Sequence, residues 1–279
     1  MLNSRHFSVL TYYIDSTDVF PYIFILGGVA ITYYDKTKEH KEIGLMLPFP
    51  ELFPIVEKVQ TKDGFEPLSN LFYPNNSYHF IEQLYTDKPK LVGCLSDVYK
   101  FDLGPKVFVL MPDAFFDEKG DNPPYACING NVQYQRVTKY IEEKYITCPD
   151  NYDCYKVFVA ISDGSGSFGE VLSSPFVGMP KEGCTISYLS IGKFDDEETA
   201  INLSQYLKTK FLRALLNAMK ISRYNPAPVW NLIPVQDFTP ASDIDWSQSI
   251  ARIDQQLYHK YALTDEEIDF IETHVKEMN

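Results

Sequence analysis

Leu203, Leu207, Phe211 and Leu215 recur at every fourth residue, the step that lines apolar side chains along one side of an α-helix. The same stretch lies in a window from Thr199 to Gln236 that has no Asp or Glu, yet carries Lys208, Lys210, Arg213, Lys220 and Arg223. Lys210, Arg213, Asn217 and Lys220 step by 3, 4 and 3 and so share a second side of that helix. The spacing predicts one main helix with a buried leucine face and a solvated basic stripe. Asp195, Asp196, Glu197 and Glu198 open it, where the positive end of the helix dipole favours acids, and Pro226 and Pro228 end it.

The chain as a whole is acidic, with a formal net charge of -13 over 279 residues. That balance argues against non-specific binding of nucleic acid by the whole surface, but leaves room for a local basic groove. Twenty Tyr and 19 Phe favour packed sheets over a pure helix bundle. Five cysteines without a CxxC pair indicate neither a disulfide framework nor a zinc site, and fit reduced thiols in a cytoplasm. Residues 1–9 carry no apolar leader segment. The most apolar run, Val19 to Tyr34, is shorter than the ~20 residues of a membrane helix. It contains Pro21, Gly27 and Gly28 and reads as two strands, Tyr22–Leu26 and Val29–Tyr34, around a Gly-Gly turn. A lone hairpin is marginal in water, so this one must join a sheet made elsewhere in the chain or missing from it.

Helical patterns are expected at Glu51–Val59 and Tyr78–Tyr85, and strands at Lys106–Met111, Tyr125–Ile128, Val132–Tyr140, Tyr155–Ile161, Thr185–Ile191 and Val229–Val235. Asn129-Gly130 reads as the turn of a hairpin. Two helices close the chain, Ser247–Tyr261 and a second that Thr264 caps with Glu267 three residues on. Trp230 and Trp246 read as core anchors.

Three patterns touch on chemistry. Asn122-Pro123-Pro124-Tyr125 matches the tetrad that holds the target amine in amino-methyltransferases, but polar Phe116–Gly120 precedes it where a buried parallel strand is required. Gly164-Ser165-Gly166-Ser167-Phe168-Gly169 matches GxGxxG after a good strand, yet Pro175 comes too soon for the helix a dinucleotide site needs. Asp117-Glu118-Lys119 and Glu142-Glu143-Lys144 supply acid-x-Lys steps of the kind that metal-dependent nucleases use. His6, His40, His79, His259 and His274 show no ligand spacing, and no metal site is expected.

One resemblance covers much of the chain. Its motifs are Asp163–Pro180 (DGSGSFGEVLSSPFVGMP), Tyr188–Gly192, Leu207–Leu215 (LKTKFLRAL), Val229–Phe238 (VWNLIPVQDF), Ser242–Ser249 (SDIDWSQS) and Leu263–Glu272 (LTDEEIDFIE). From about Lys156 to Met278 the sequence resembles the C-terminal, target-recognition part of adenine-specific DNA methyltransferases of bacterial type II restriction–modification systems, including fused methylase–endonucleases. Asp18–Pro21 and Ile25–Ala30 are similar to that family's last catalytic-domain strands, with Leu26 where relatives would carry a polar or basic residue. The family's motifs for S-adenosylmethionine and for the target base lie upstream of Gly27-Gly28.

The resemblance implies an α+β chain: residues 1–48 as a mixed-sheet remnant of a methyltransferase catalytic domain, and residues 49–279 as an α+β DNA target-recognition domain. It implies sequence-specific recognition of double-stranded DNA in the cytoplasm, no membrane, no cofactor held by this chain alone, and a separate catalytic methyltransferase polypeptide as partner. Hydroxyls, amides and bases supply the contact types such reading needs. The expected DNA-binding residues are Ser165, Ser167, Lys210, Arg213, Asn217, Lys220, Arg223 and Asn225. A Mg²⁺-dependent endonuclease using an acid-x-Lys site, or a remnant without activity, are the alternatives.

Overall fold

The structure is a computed structural model that describes residues 4–13, 15–25, 27–40, 43 and 45–278. In chain order the strands and α-helices are β1 (Phe7–Tyr13), β2 (Val29–Tyr34), α1 (Leu52–Gln60), β3 (His79–Phe80), α2 (Glu82–Asp87), α3 (Val107–Leu110), β4 (Tyr125–Val132) and β5 (Gln135–Glu142). There follow β6 (Ile146–Thr147), β7 (Tyr155–Ala160), β8 (Phe176–Gly178), β9 (Glu182–Cys184), β10 (Tyr188–Phe194), α4 (Glu197–Lys208), α5 (Lys210–Met219), α6 (Ile250–Lys260) and α7 (Asp265–His274). The fold is mixed α/β with several small sheets, ordered β1-β2, β10-β7-β8, β3-β6 and β5-β4-β9. Among the described residues no helix is long and apolar enough to cross a membrane.

Strand β7 organises the interior because both of its faces are covered. Val157 and Val159 point into a core formed with α1, α4, α5, α6 and α7. Phe158, of opposite parity, points into a second core beneath the β4–β5 hairpin, with Ile128, Ile141 and Phe115. Strand β10 pairs antiparallel with β7 and repeats the pattern: Leu189 and Ile191 face the helices, Tyr188 the hairpin. This continuous burial explains the near-unbroken apolar run of β7.

The helical layer centres on α5, whose residues Phe211 to Ala218 are all buried. The long helix expected from the spacing is two helices. Thr209 leaves helical geometry (ψ 147°); it ends α4 and caps α5 by accepting the Leu212 amide. At its start, α4 is capped by Asp196, which accepts the Thr199 amide at 2.8 Å. Helix α7 carries the expected capping box between Thr264 and Glu267, and Trp230 and Trp246 are buried in the helical core.

Other local expectations shift. The apolar run Lys106–Met111 forms α3 (Val107–Leu110) rather than a strand, and Val107 and Phe108 pack down onto β4. The segment Val229–Val235 gives a 3₁₀ turn and one bridge, Pro67 to Pro234, in place of a strand. In Tyr78–Tyr85 the helix starts only at Glu82, after β3. The β4–β5 hairpin turns at Gln133-Tyr134, not at Asn129-Gly130, which lies inside β4 with Gly130 opposite Val137. Gly130 serves close packing there, since a Cβ would run into the Phe108 ring.

The N-terminal hairpin differs in partner. Strand β2 pairs with β1, and Tyr22–Ile25 forms no strand; Leu26 lies outside the described residues. Among the described residues the β1–β2 pair joins no other sheet. Phe7 is the one buried hydrophobic residue among the described residues of 4–40, whereas Tyr22, Ile23, Phe24, Ile31 and Tyr34 stand exposed. The main core begins at Leu47.

Candidate nucleic-acid interface

The basic stripe of α5 is inside the protein. Arg213 has no exposed surface. Its Nε, Nη1 and Nη2 donate to the carbonyls of Lys208 (3.2 Å), Glu170 (3.3 Å) and Lys276 (2.5 Å). Asn217 is buried and donates to the Arg213 carbonyl at 2.6 Å. The Lys210 ammonium meets Glu272 at 2.5 Å. Lys220 is buried and sits 2.9 Å from Asp163, and Asn225, also buried, donates to the same carboxylate at 2.8 Å. The expectation of a solvated basic face is thus corrected for Lys210, Arg213, Asn217 and Lys220, and that of an exposed contact for Asn225, which lies beyond the helix. The reason is that α5 is surrounded by α1, α4, α6 and α7, so even its polar side is covered, and buried charges persist only when paired.

Asp254 shows which effect dominates in that interior. Its carboxylate accepts the Lys210 and Phe211 amides at 3.0 and 2.9 Å, at the N-terminus of α5. Burial nevertheless pushes its pKa up to about 6; Glu272 pushes the same way, while the two amides and Arg213 oppose it.

This buried network supports a surface feature. Asp163, held by Lys220 and Asn225, opens the loop Gly164–Gly169, and its other carboxylate oxygen accepts the Ser173 amide at 2.8 Å. The Asp163 amide donates to the Arg223 carbonyl at 2.9 Å, and Ser162 bridges Tyr224. Gly166, at φ +95°, lies so close to the Ser222 backbone that a Cβ would come within 2.7 Å of it, and a Cβ at Gly169 would collide with the His274 carbonyl. Only glycine satisfies both constraints. The loop and Ser222–Tyr224 are therefore one stitched unit, and on it the three remaining expected residues, Ser165, Ser167 and Arg223, are exposed together.

Two exposed residues that sequence reasoning missed lie at the tip of the β4–β5 hairpin and just beyond it, and the first of them is near Arg223. Tyr134 is fully exposed at the tip of the β4–β5 hairpin, within electrostatic reach of Arg223. Arg223 itself lies 5.4 Å over the Tyr224 ring, and Tyr224 is half exposed. Arg136, two residues beyond the tip, covers the Phe176 ring at 4.2 Å. Neither arginine forms an ion pair among the described residues. The turn holds both Gln133 (φ 51°) and Tyr134 (φ 64°) in the left-handed region, which side chains with a Cβ enter at a cost of about 1–2 kcal/mol each. An aromatic ring is thus displayed to solvent on a strained turn. Placing the turn at Asn129-Gly130 had put Tyr134 within a strand, which hid it.

The other motifs are accounted for locally. Asn122 is on the surface, and the Tyr125 ring, which would have to stack on a base, packs edge-on against Phe116 at 5.4 Å. Lys144 bridges Glu142 and Asp87 at 3.0 and 3.4 Å, Glu143 accepts the Tyr152 hydroxyl, and Asp117 pairs with Lys139. Among the described residues no group of three or more His, Cys, Asp or Glu is placed to hold a metal ion. Comparison with protein-family models, with curated proteins and with solved structures yields no match.

Two outcomes follow for stability. Arg213→Met strands three carbonyls and is expected to lower unfolding free energy by about 3–5 kcal/mol, against less than about 0.5 kcal/mol for the exposed Arg223→Ala, both read by urea denaturation. For Asp254 the folded pKa (about 6) exceeds the unfolded one (about 3.9), so the folded state binds the extra proton between these values. Its contribution to stability therefore falls as pH rises from about 4 to about 6 and is level above. Measured relative to wild type, Asp254→Asn should gain stability across that window.

Proposed function

We propose that this chain recognises specific sequences in double-stranded DNA through the face formed by Tyr134, Arg136, Ser165, Ser167, Arg223 and Tyr224, as the DNA-reading component of an adenine-specific methyltransferase of a restriction–modification system. The observation that carries the DNA reading is that Arg223, without an ion pair among the described residues, stands with the exposed Tyr134 and Tyr224 beside a serine-bearing glycine loop, where the two acids of that loop are held by internal donors. Asp163 is paired with Lys220, and Glu170 is occupied by the loop's own donors. Arginine fixes register on phosphates and reads guanine edges, hydroxyls read either base type, and exposed rings stack or wedge.

The methyltransferase setting rests on the sequence resemblance between Lys156 and Met278 alone. In that setting S-adenosylmethionine and the chemistry belong to a separate catalytic polypeptide. The β1–β2 hairpin, as a remnant of the catalytic sheet, is where that polypeptide would dock: from Val19 to Tyr34 it carries no charge, so an acidic body of net charge -13 meets a partner there without repulsion.

Binding of fluorescent duplex DNA, followed by anisotropy across a salt series, tests the reading. The wild type should bind with an affinity that falls steeply with salt. Arg223→Ala should lower the magnitude of the log–log salt slope by about 1, and Tyr134→Ala with Arg223→Ala should weaken binding by about tenfold or more. Unchanged affinity in that double variant would refute the assignment of this face. Substituting Lys210 or Arg213 instead reports on folding.

A further inference from the structure

The glycine loop already holds an anion. The amides of Ser165 and Gly166 donate to one carboxylate oxygen of Glu170 at 2.8 and 3.1 Å, and the Ser165 hydroxyl donates to the other at 2.5 Å. The Ser167 hydroxyl completes the ring, 2.8 Å from that of Ser165. Successive backbone N–H groups aimed at one point form a concavity that suits a phosphate as well as a carboxylate. The carboxylate is half-buried: desolvation works against its charge, but the donors, with Lys220 nearby, hold its pKa below the ordinary glutamate value.

The cradle does not depend on the carboxylate for its shape. Gly166 is packed on the Ser222 backbone, Gly169 on His274, and the Lys276 amide donates to the Gly169 carbonyl at 3.0 Å. The Glu170 carbonyl is fixed by Arg213, so the main chain stays in place while the side chain can turn away. The open side of the cradle carries the exposed Ser165 and Ser167, beside Arg223.

We propose that Glu170 is an internal surrogate for a phosphate group: its carboxylate fills an anion site in the loop and yields that site to a phosphate of the ligand. Resting on the DNA reading, this assigns a backbone phosphate of the duplex to the Ser165-Gly166 amides and makes Glu170 a built-in competitor that weakens binding to any DNA that cannot drive the exchange. It commits to phosphate chemistry, whether from DNA or from free phosphate.

Glu170→Gln keeps the side chain's size and removes its charge, so the loop retains an acceptor for one of its donors. Amide resonances of the full chain, recorded during titration with inorganic phosphate and separately with duplex DNA, test the idea. In Glu170→Gln, millimolar phosphate should shift the Ser165 and Gly166 resonances and leave those of the core unchanged, whereas wild type should respond far less. Duplex DNA should shift the same two resonances in wild type, and Glu170→Gln should bind it about three- to tenfold more tightly. Tighter DNA binding with both resonances unresponsive to phosphate would be simple charge removal and would overturn the surrogate role, while leaving the DNA reading intact. If wild type binds no duplex DNA, the DNA reading fails, and the phosphate titration of Glu170→Gln still decides whether the cradle takes an anion.

Discussion

The guanidinium of Arg213 holds three carbonyls from separate parts of the chain: Lys208 at the α4–α5 break, Glu170 at the end of the glycine loop and Lys276 in the C-terminal segment. All three bonds are partly buried, and a carbonyl left without its donor in such a place costs up to about 1–3 kcal/mol. One side chain thereby ties the helical core, the loop and the chain's last residues into one unit. About two turns further on, at the C-cap of α5, Lys220 holds Asp163 at the start of the loop. Positive charge that sequence pattern assigns to the surface is spent on internal architecture, and its effect on the surface is indirect: it fixes the loop from both ends.

That fixation matters because the loop follows directly from β7, the strand buried between the two cores. A site carried on a rigid strand and a clamped loop needs little ordering when a ligand arrives, which lowers the cost of binding. Near Arg223, the tip of the β4–β5 hairpin projects Tyr134 from a strained turn. Rigid backing on one side and a displayed aromatic on the other suit a polymer that must be held in register while its surface is read. The N-terminal hairpin has the contrary character: two strands, two open edges and exposed apolar side chains, with nothing in the described chain covering them.

Some of this was legible in the sequence. Thr264 with Glu267, Asp196 before α4, and the apolar run of β7 each depend on neighbours close along the chain, and each appears where expected, while β10 starts three residues later than the strand expected at Thr185–Ile191. The α5 stripe was misread because periodicity identifies residues that share a helix side but not what packs against that side. Here the Glu170 carbonyl, Glu272 and Lys276 arrive from 43 to 63 residues away. The hairpin turn was misplaced because Asn129-Gly130 has the local chemistry of a turn, while Gly130 is required by the distant Phe108 ring. Of the expected contact residues, Ser165, Ser167 and Arg223 reach one surface; nothing local marks Tyr134 as their neighbour.

Hydrogen exchange of the wild-type protein with and without duplex DNA tests the central claim most directly, because it requires no substitution and sees every segment at once. The account predicts added protection in three separated stretches, Gln133–Arg136, Ser165–Ser167 and Ser222–Tyr224, with exchange of the α5 interior unchanged. Protection confined to other surfaces, such as the α6 side around Arg252 and His259, or no change at any DNA concentration in low salt, would contradict it.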